Sequence, residues 1–191
     1  RHEPHREKMT LTHRYRPAGS AKDLFGCKLP EILLSGPAGT GKSRGCLEKL
    51  HALMLKYPGS RGLILRKTAT SLTSTALVTF REHVAAEALE SGEVKFFHGS
   101  ASEASSYRYG NGSIIVVAGL DKASRIMSSE YDVCYIQEAT ELSMDDWEMV
   151  TTRLRHGVIP YQQLIADCNP GPPNHWLKSR CDNNQTHIIY C

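Results

Sequence analysis

Eight consecutive residues, Gly36, Pro37, Ala38, Gly39, Thr40, Gly41, Lys42 and Ser43, fit the spacing G-x-x-x-x-G-K-[ST]. That spacing suits the binding of a nucleoside triphosphate. Glycines let the backbone curl so that successive N–H groups face phosphate oxygens. A helix that opens at the loop adds its partial positive charge. Lys42 can reach the β- and γ-phosphates, and the Ser43 hydroxyl can ligate Mg2+. The flanks agree with this reading. Glu31–Ser35 is a short apolar run that reads as a buried strand. Residues 42–57 carry Cys46, Leu47, Leu50 and Met54 at helical spacing, and Pro58-Gly59 stops them. No Asn/Thr-Lys-x-Asp sequence follows a strand, so guanine selection is not expected.

A second group lies downstream, where an apolar run over residues 133–137 ends on Glu138. In P-loop ATPases of the additional-strand type, the strand beside the P-loop ends in Asp-Glu. The first residue holds the Mg2+ shell and the second polarises the attacking water. Here Gln137 takes the first position and Glu138 the second. The Gln137 amide oxygen can accept a hydrogen bond from a Mg2+-bound water but brings no charge. Asp132 is five residues back, roughly 16 Å along a strand, and cannot substitute. Glu141 reads as solvated.

These residues need a sheet and helices to hold them. Residues 62–65 predict a second strand. Leu77, Phe80 and Val84 mark one face of a helix that closes near Ser91-Gly92. Residues 94–98, 107–109 and 113–118 predict strands, with Asn111-Gly112 as a hairpin turn between the last two. Ser143 is the expected N-cap of a helix with Asp145 and Asp146 in its first turn. Trp147, Val150 and Leu154 form its apolar face, and Gly157 ends it. Residues 163–166 and 187–190 predict further strands. Strands alternating with helices imply an α/β fold, mostly parallel, flanked by helices, with an inserted β-hairpin.

Composition narrows the function classes. Of 191 residues, 40% are hydrophobic and 23% charged, the balance of an ordinary globular protein. The net charge of +3 belongs to residues 1–16, where Arg1, Arg6, Lys8, Arg14 and Arg16 face only Glu3 and Glu7. The rest is neutral, which excludes a generally basic nucleic-acid binder. No apolar run approaches the roughly 18 residues of a membrane span, and no secretory signal pattern opens the chain. Six cysteines form no C-x-x-C pair, so a zinc ribbon is not expected and a reducing cytoplasm fits.

Four further stretches, in order, carry a resemblance. They are Leu63-Ile64-Leu65-Arg66-Lys67-Thr68, then Asn111-Gly112-Ser113 with Gly119-Leu120-Asp121 and Ser124-Arg125-Ile126. Gln137-Glu138-Ala139-Thr140-Glu141-Leu142 follows, and Asn169-Pro170 with His175-Trp176-Leu177-Lys178 completes the set. Over roughly residues 12–190 the chain resembles the large terminase subunit of tailed bacteriophages, which packages double-stranded DNA into a prohead.

The resemblance implies an ATPase that uses ATP and Mg2+ at residues 36–43, with Ser43 on the metal and Glu138 as catalytic carboxylate beside Lys42. Asn169 would sit near the γ-phosphate. Tyr15 and Arg16 would lie on the adenine side. Arg125 would reach a neighbouring subunit's nucleotide, with Arg66 a weaker alternative, while His175 and Trp176 would pack. Implied partners are double-stranded DNA, the small terminase subunit and the portal or prohead, with a homo-oligomeric ring in the host cytoplasm. The expected layout is a basic arm over residues 1–25 and an ATPase domain over 26–191, without the nuclease domain that follows in large terminases. The P-loop lacks the arginine some members carry, and with Gln137 this implies weak activity for an isolated chain. Open alternatives are another nucleic-acid motor of helicase or loader type, a small-molecule P-loop kinase, and a nucleotide-binding module with little turnover.

Overall fold

The computed structural model describes residues 14–191, apart from the side chain of Arg125. Eight strands form one sheet: β1 (Glu31–Ser35), β2 (Arg61–Arg66), β3 (Val94–Phe97), β4 (Ser105–Tyr109), β5 (Ile114–Gly119), β6 (Val133–Ile136), β7 (Gln163–Cys168) and β8 (His187–Tyr190). Their order across the sheet is β3-β4-β5-β2-β6-β7-β1-β8. β3/β4 and β4/β5 are antiparallel and every other pair is parallel. The parallel strands therefore end on one edge, where α/β folds bind ligands.

The helices are α1 (Ser20–Gly26), α2 (Lys42–Lys56), α3 (Ala69–Thr73), α4 (Ala76–Thr79), α5 (Ala86–Glu90), α6 (Ser124–Met127), α7 (Met144–Thr151) and α8 (Trp176–Asp182). Strand alternation sends side chains to two cores. Val133, Tyr135 and Ile165 join Leu47, Leu50 and Leu77 on the α2 face. Cys134, Ile136, Leu164 and Ala166 join Trp147, Val150 and Leu177 on the other. Central strands β6 and β7 are buried along their whole length, which is why they read as continuous apolar runs.

Three differences from the sequence reading have physical causes. First, the helix expected through Leu77, Phe80 and Val84 is broken into α4 and α5 around a π-turn, Phe80–Val84, closed by Ala85 N–H donating to Phe80 O at 2.7 Å. The widened turn keeps both Phe80 and Val84 in the core, with the Phe80 ring 4.6 Å from that of Tyr107. Second, α7 stops at Thr151 instead of running on through Leu154. The hydroxyls of Thr151 and Thr152 donate back to Glu148 O and Met149 O, both at 2.7 Å, an alternative to continuing the helix. Its start is as expected, with Ser143 and Asp146 forming a capping box. The inserted hairpin is present, and it extends the main sheet: β5 pairs with β4 on one side and with β2 on the other.

Third, part of the expected N-terminal arm is helix. α1 packs on α2 through buried Ala21 and Leu24, and the Lys49 ammonium donates to Leu24 O at 2.9 Å and Cys27 O at 2.7 Å at the helix end. The first 13 residues, which include Arg1, Arg6 and Lys8, lie outside the described residues.

Candidate nucleotide site

β1 delivers the chain to the parallel edge, and the loop of residues 36–41 leads into α2. Gly36 is hemmed in, since a Cβ there would lie 2.6 Å from Cys191 O. Gly39 and Gly41 hold φ of 80° and 79°, a left-handed conformation that side chains disfavour. Among the described residues, the N–H groups of Ala38, Gly39, Thr40 and Gly41 donate to no backbone carbonyl. They are free donors at the head of a 15-residue helix, the arrangement an anion needs. The Lys42 ammonium folds back over the loop, donating to Gly36 O at 2.7 Å and Pro37 O at 2.6 Å, with Asn169 Oδ1 at 3.4 Å. Asn169 thus stands beside Lys42.

The sequence reading missed Asp167. The strand expected over residues 163–166 continues as β7 to Cys168. Parity with Ile165 sends Asp167 to the α2 face, where it is 2% exposed. Its Oδ2 accepts from the Ser43 hydroxyl at 2.5 Å and the Tyr135 hydroxyl at 2.8 Å, and its Oδ1 from Glu138 N–H at 3.0 Å. One carboxylate therefore joins the P-loop to the Glu138 turn. The signal that could have found it is the two-residue spacing of Gln163, Ile165 and Asp167, which puts all three on one face of a strand.

Glu138 is a half-buried, non-glycine residue at φ 53°, ψ 57°. Its carboxylate makes no hydrogen bond or ion pair among the described residues. Burial first, and then the charge of Asp167, push its pKa above the usual glutamate range. The Gln137 Oε1 accepts from the Thr75 hydroxyl at 2.8 Å. Glu141 is not simply solvated, for Arg66 grips it with two hydrogen bonds of 2.8 and 3.0 Å. Arg66 also lies 3.4 Å from the Thr75 hydroxyl, so its guanidinium is held within its own chain. Asp132 is at the far edge, accepting from the N–H groups of Arg61, Val158 and Ile159.

The remaining expected residues divide. The Tyr15 ring lies 5.8 Å from Phe25 and 5.8 Å from the Arg44 guanidinium, against the first turn of α2. Arg16 is exposed. Arg125 has its backbone in α6, while its side chain lies outside the described residues. His175 and Trp176 do more than pack. His175 Nε2 lies 3.2 Å from Thr140 O, and Trp176 Nε1 donates to Leu142 O at 2.9 Å, tying the segment after Asn169 to the turn after Glu138. Among the described residues, no three His, Cys, Asp or Glu side chains gather to hold a metal alone. A cation here must share its ligands with phosphate oxygens, and the Ser43 hydroxyl beside the Asp167 carboxylate is an oxygen donor set that suits Mg2+. No helix among the described residues is long and apolar enough to cross a membrane.

No curated protein sequence matches the chain. Solved structures do share its fold. The large terminase of a thermophilic bacteriophage superposes with a TM-score of 0.66 at 13% identity, covering 87% of this chain and 41% of that one. The same terminase has been solved with ATP-gamma-S and with ADP. A mutant of the Thermus phage P74-26 large terminase ATPase domain gives 0.62 at 16% identity, covering 85% and 68%. The N-terminal domain of the bacteriophage phi29 DNA packaging ATPase gives 0.56 at 11%, covering 81% and 78%. The chain thus has the P-loop fold of the additional-strand type and spans about two fifths of the first of these relatives. The profile of the phage terminase large subunit matches residues 30–190, and the chain belongs to that family.

Proposed function

We propose that this chain is the ATP-hydrolysing motor part of a phage DNA-packaging machine, driving double-stranded DNA into a prohead. The observation that carries the reading is the Asp167 bridge, which sets the phosphate loop beside an unpartnered carboxylate, Glu138, on one sheet edge. The free N–H groups of the loop and Lys42 would hold the β- and γ-phosphates. Ser43 would hold Mg2+ together with the nucleotide, and the cation would supply charge that offsets the phosphates. Glu138, with a raised proton affinity, would orient and deprotonate water. Asn169, next to Lys42, would sense the γ-phosphate, and the His175–Thr140 and Trp176–Leu142 ties would carry its shifts to the Glu138 turn. Tyr15 would flank the adenine, with Arg16 beside it. Arg125 would be offered to the neighbouring subunit of a ring, since Arg66 is committed to Glu141. The portal and the small terminase subunit are the proposed partners, and the host cytoplasm the proposed setting.

ATP hydrolysis by the parent, Lys42→Ala and Glu138→Gln tests this. Glu138→Gln should lose about 100-fold or more in turnover while keeping its nucleotide affinity, and Lys42→Ala should lose affinity. Undiminished turnover in Glu138→Gln would sink the assignment. Phosphate transfer to an acceptor other than water would replace the motor with a kinase.

A further inference from the structure

The family pattern leaves this chain one charge short, because Gln137 stands where a carboxylate is usual. The structure supplies a carboxylate on the next strand. Ile136 pairs with Ala166, so Gln137 and Asp167 stand at the same level on adjacent strands, about 4.8 Å apart across the sheet. β7 lies between β6 and β1, so Asp167 is also one strand nearer the P-loop. Gln137 is spent on Thr75, at 2.8 Å. Asp167 touches the Ser43 hydroxyl, the group that the P-loop offers to a cation.

The charge balance points the same way. Asp167 is 2% exposed, and its three partners, the hydroxyls of Ser43 and Tyr135 and the N–H of Glu138, are all neutral. No lysine, arginine or histidine forms an ion pair with it among the described residues. A buried carboxylate without a counter-charge is costly. A divalent cation bound beside Ser43 would provide one.

We propose that Asp167, on β7, is the acidic member of the nucleotide-linked Mg2+ site, replacing the carboxylate missing at Gln137 on β6. It acts as a positioning residue on the cation's shell together with Ser43. The inference rests on the nucleotide reading above and adds a residue to it.

The test is ADP affinity by calorimetry, with Mg2+ and with EDTA, so that each protein is compared with itself. In the parent, Mg2+ should strengthen binding. In Asp167→Asn, the Mg2+ affinity of the ADP complex should fall by about 10- to 100-fold, while affinity in EDTA stays within about threefold of the parent. An unchanged Mg2+ response, or an equal loss in both buffers, overturns the proposal. The double variant Asp167→Asn, Gln137→Asp returns the charge to β6 and covers the case in which the single variant does not fold. It should regain the Mg2+ response, and a folded double variant that binds ADP without one also overturns the proposal. A parent that binds no ADP in either buffer removes the nucleotide reading itself, and this inference with it. ADP binding that fails only in its Mg2+ dependence removes this inference alone.

Discussion

Glu138 holds backbone angles that glycine would adopt with less strain. A β-carbon at φ 53° and ψ 57° costs an L-residue about 1 kcal/mol or more. The conformation persists because its surroundings fix it: Glu138 N–H donates to Asp167, and Glu141 N–H closes the following turn on Glu138 O at 2.9 Å. Strain of this kind gathers where a side chain must be aimed. Replacing Glu138 with glycine should therefore raise stability by about 1 kcal/mol in urea unfolding while removing hydrolysis. A variant that loses both stability and activity would show that the carboxylate also holds the fold. The residue types at this site were legible from the sequence, because Lys42 and Ser43 close a glycine-rich phosphate-loop spacing and Glu138 follows an apolar run. Which way they face was not. Gln137 and Asp167 are both polar residues at strand ends, and only the sheet reveals that one is turned to Thr75 and the other to Ser43.

Among the elements, α8 has the clearest mechanical task. Its Arg180 grips Glu31 at the start of β1 with hydrogen bonds of 2.8 and 2.7 Å and also reaches Glu148 on α7. Burial alone would raise the Glu31 carboxyl, but bonds from Arg180, Thr186 and Trp147 outweigh it and hold the group below the usual range. Breaking such a pair leaves a buried charge alone. Arg180→Met should cost about 3 kcal/mol in equilibrium unfolding, and Glu31→Gln in that background should recover part of it. A loss under about 0.5 kcal/mol would reduce the pair to a surface contact. The sequence reading contained neither α8 nor α1. Each spans only seven residues, too short for a helical period to declare itself, and each is fixed from outside. Lys49 satisfies the end of α1, and the unusual N-cap of α8 is the His175 ring accepting from Leu177 N–H. The strands fared better, since the buried centres of β1, β2, β6 and β7 advertise themselves as apolar runs bounded by turn residues. The β7 end was lost because an aspartate inside a parallel strand contradicts that same signal.

At the scale of the molecule, helices on both faces of the sheet put four of the six thiols inside and set a pH limit on stability. Burial raises the thiol pKa of Cys46, Cys134 and Cys181, and that of Cys168 to about 11. An exposed thiol ionises near pH 8.5. Above that pH the unfolded chain sheds these protons while the folded chain keeps them. The folded state then binds more protons, and stability falls as pH rises. Lys49 opposes this trend. Burial lowers its ammonium to about 8, against about 10.4 when exposed, so between those values the unfolded chain holds the extra proton and stability rises with pH. Four thiols oppose one amine, and Tyr107, Tyr109 and Tyr135, all raised by burial, join the thiols above pH 10. Urea midpoints measured in reductant should therefore decline steadily from pH 8.5 to 10.5. Lys49→Met, less stable throughout, should decline more steeply because the one opposing group is gone. A midpoint that climbs over this range in the parent would mean that Lys49 dominates and that the thiols are less shielded than the two-faced sheet requires.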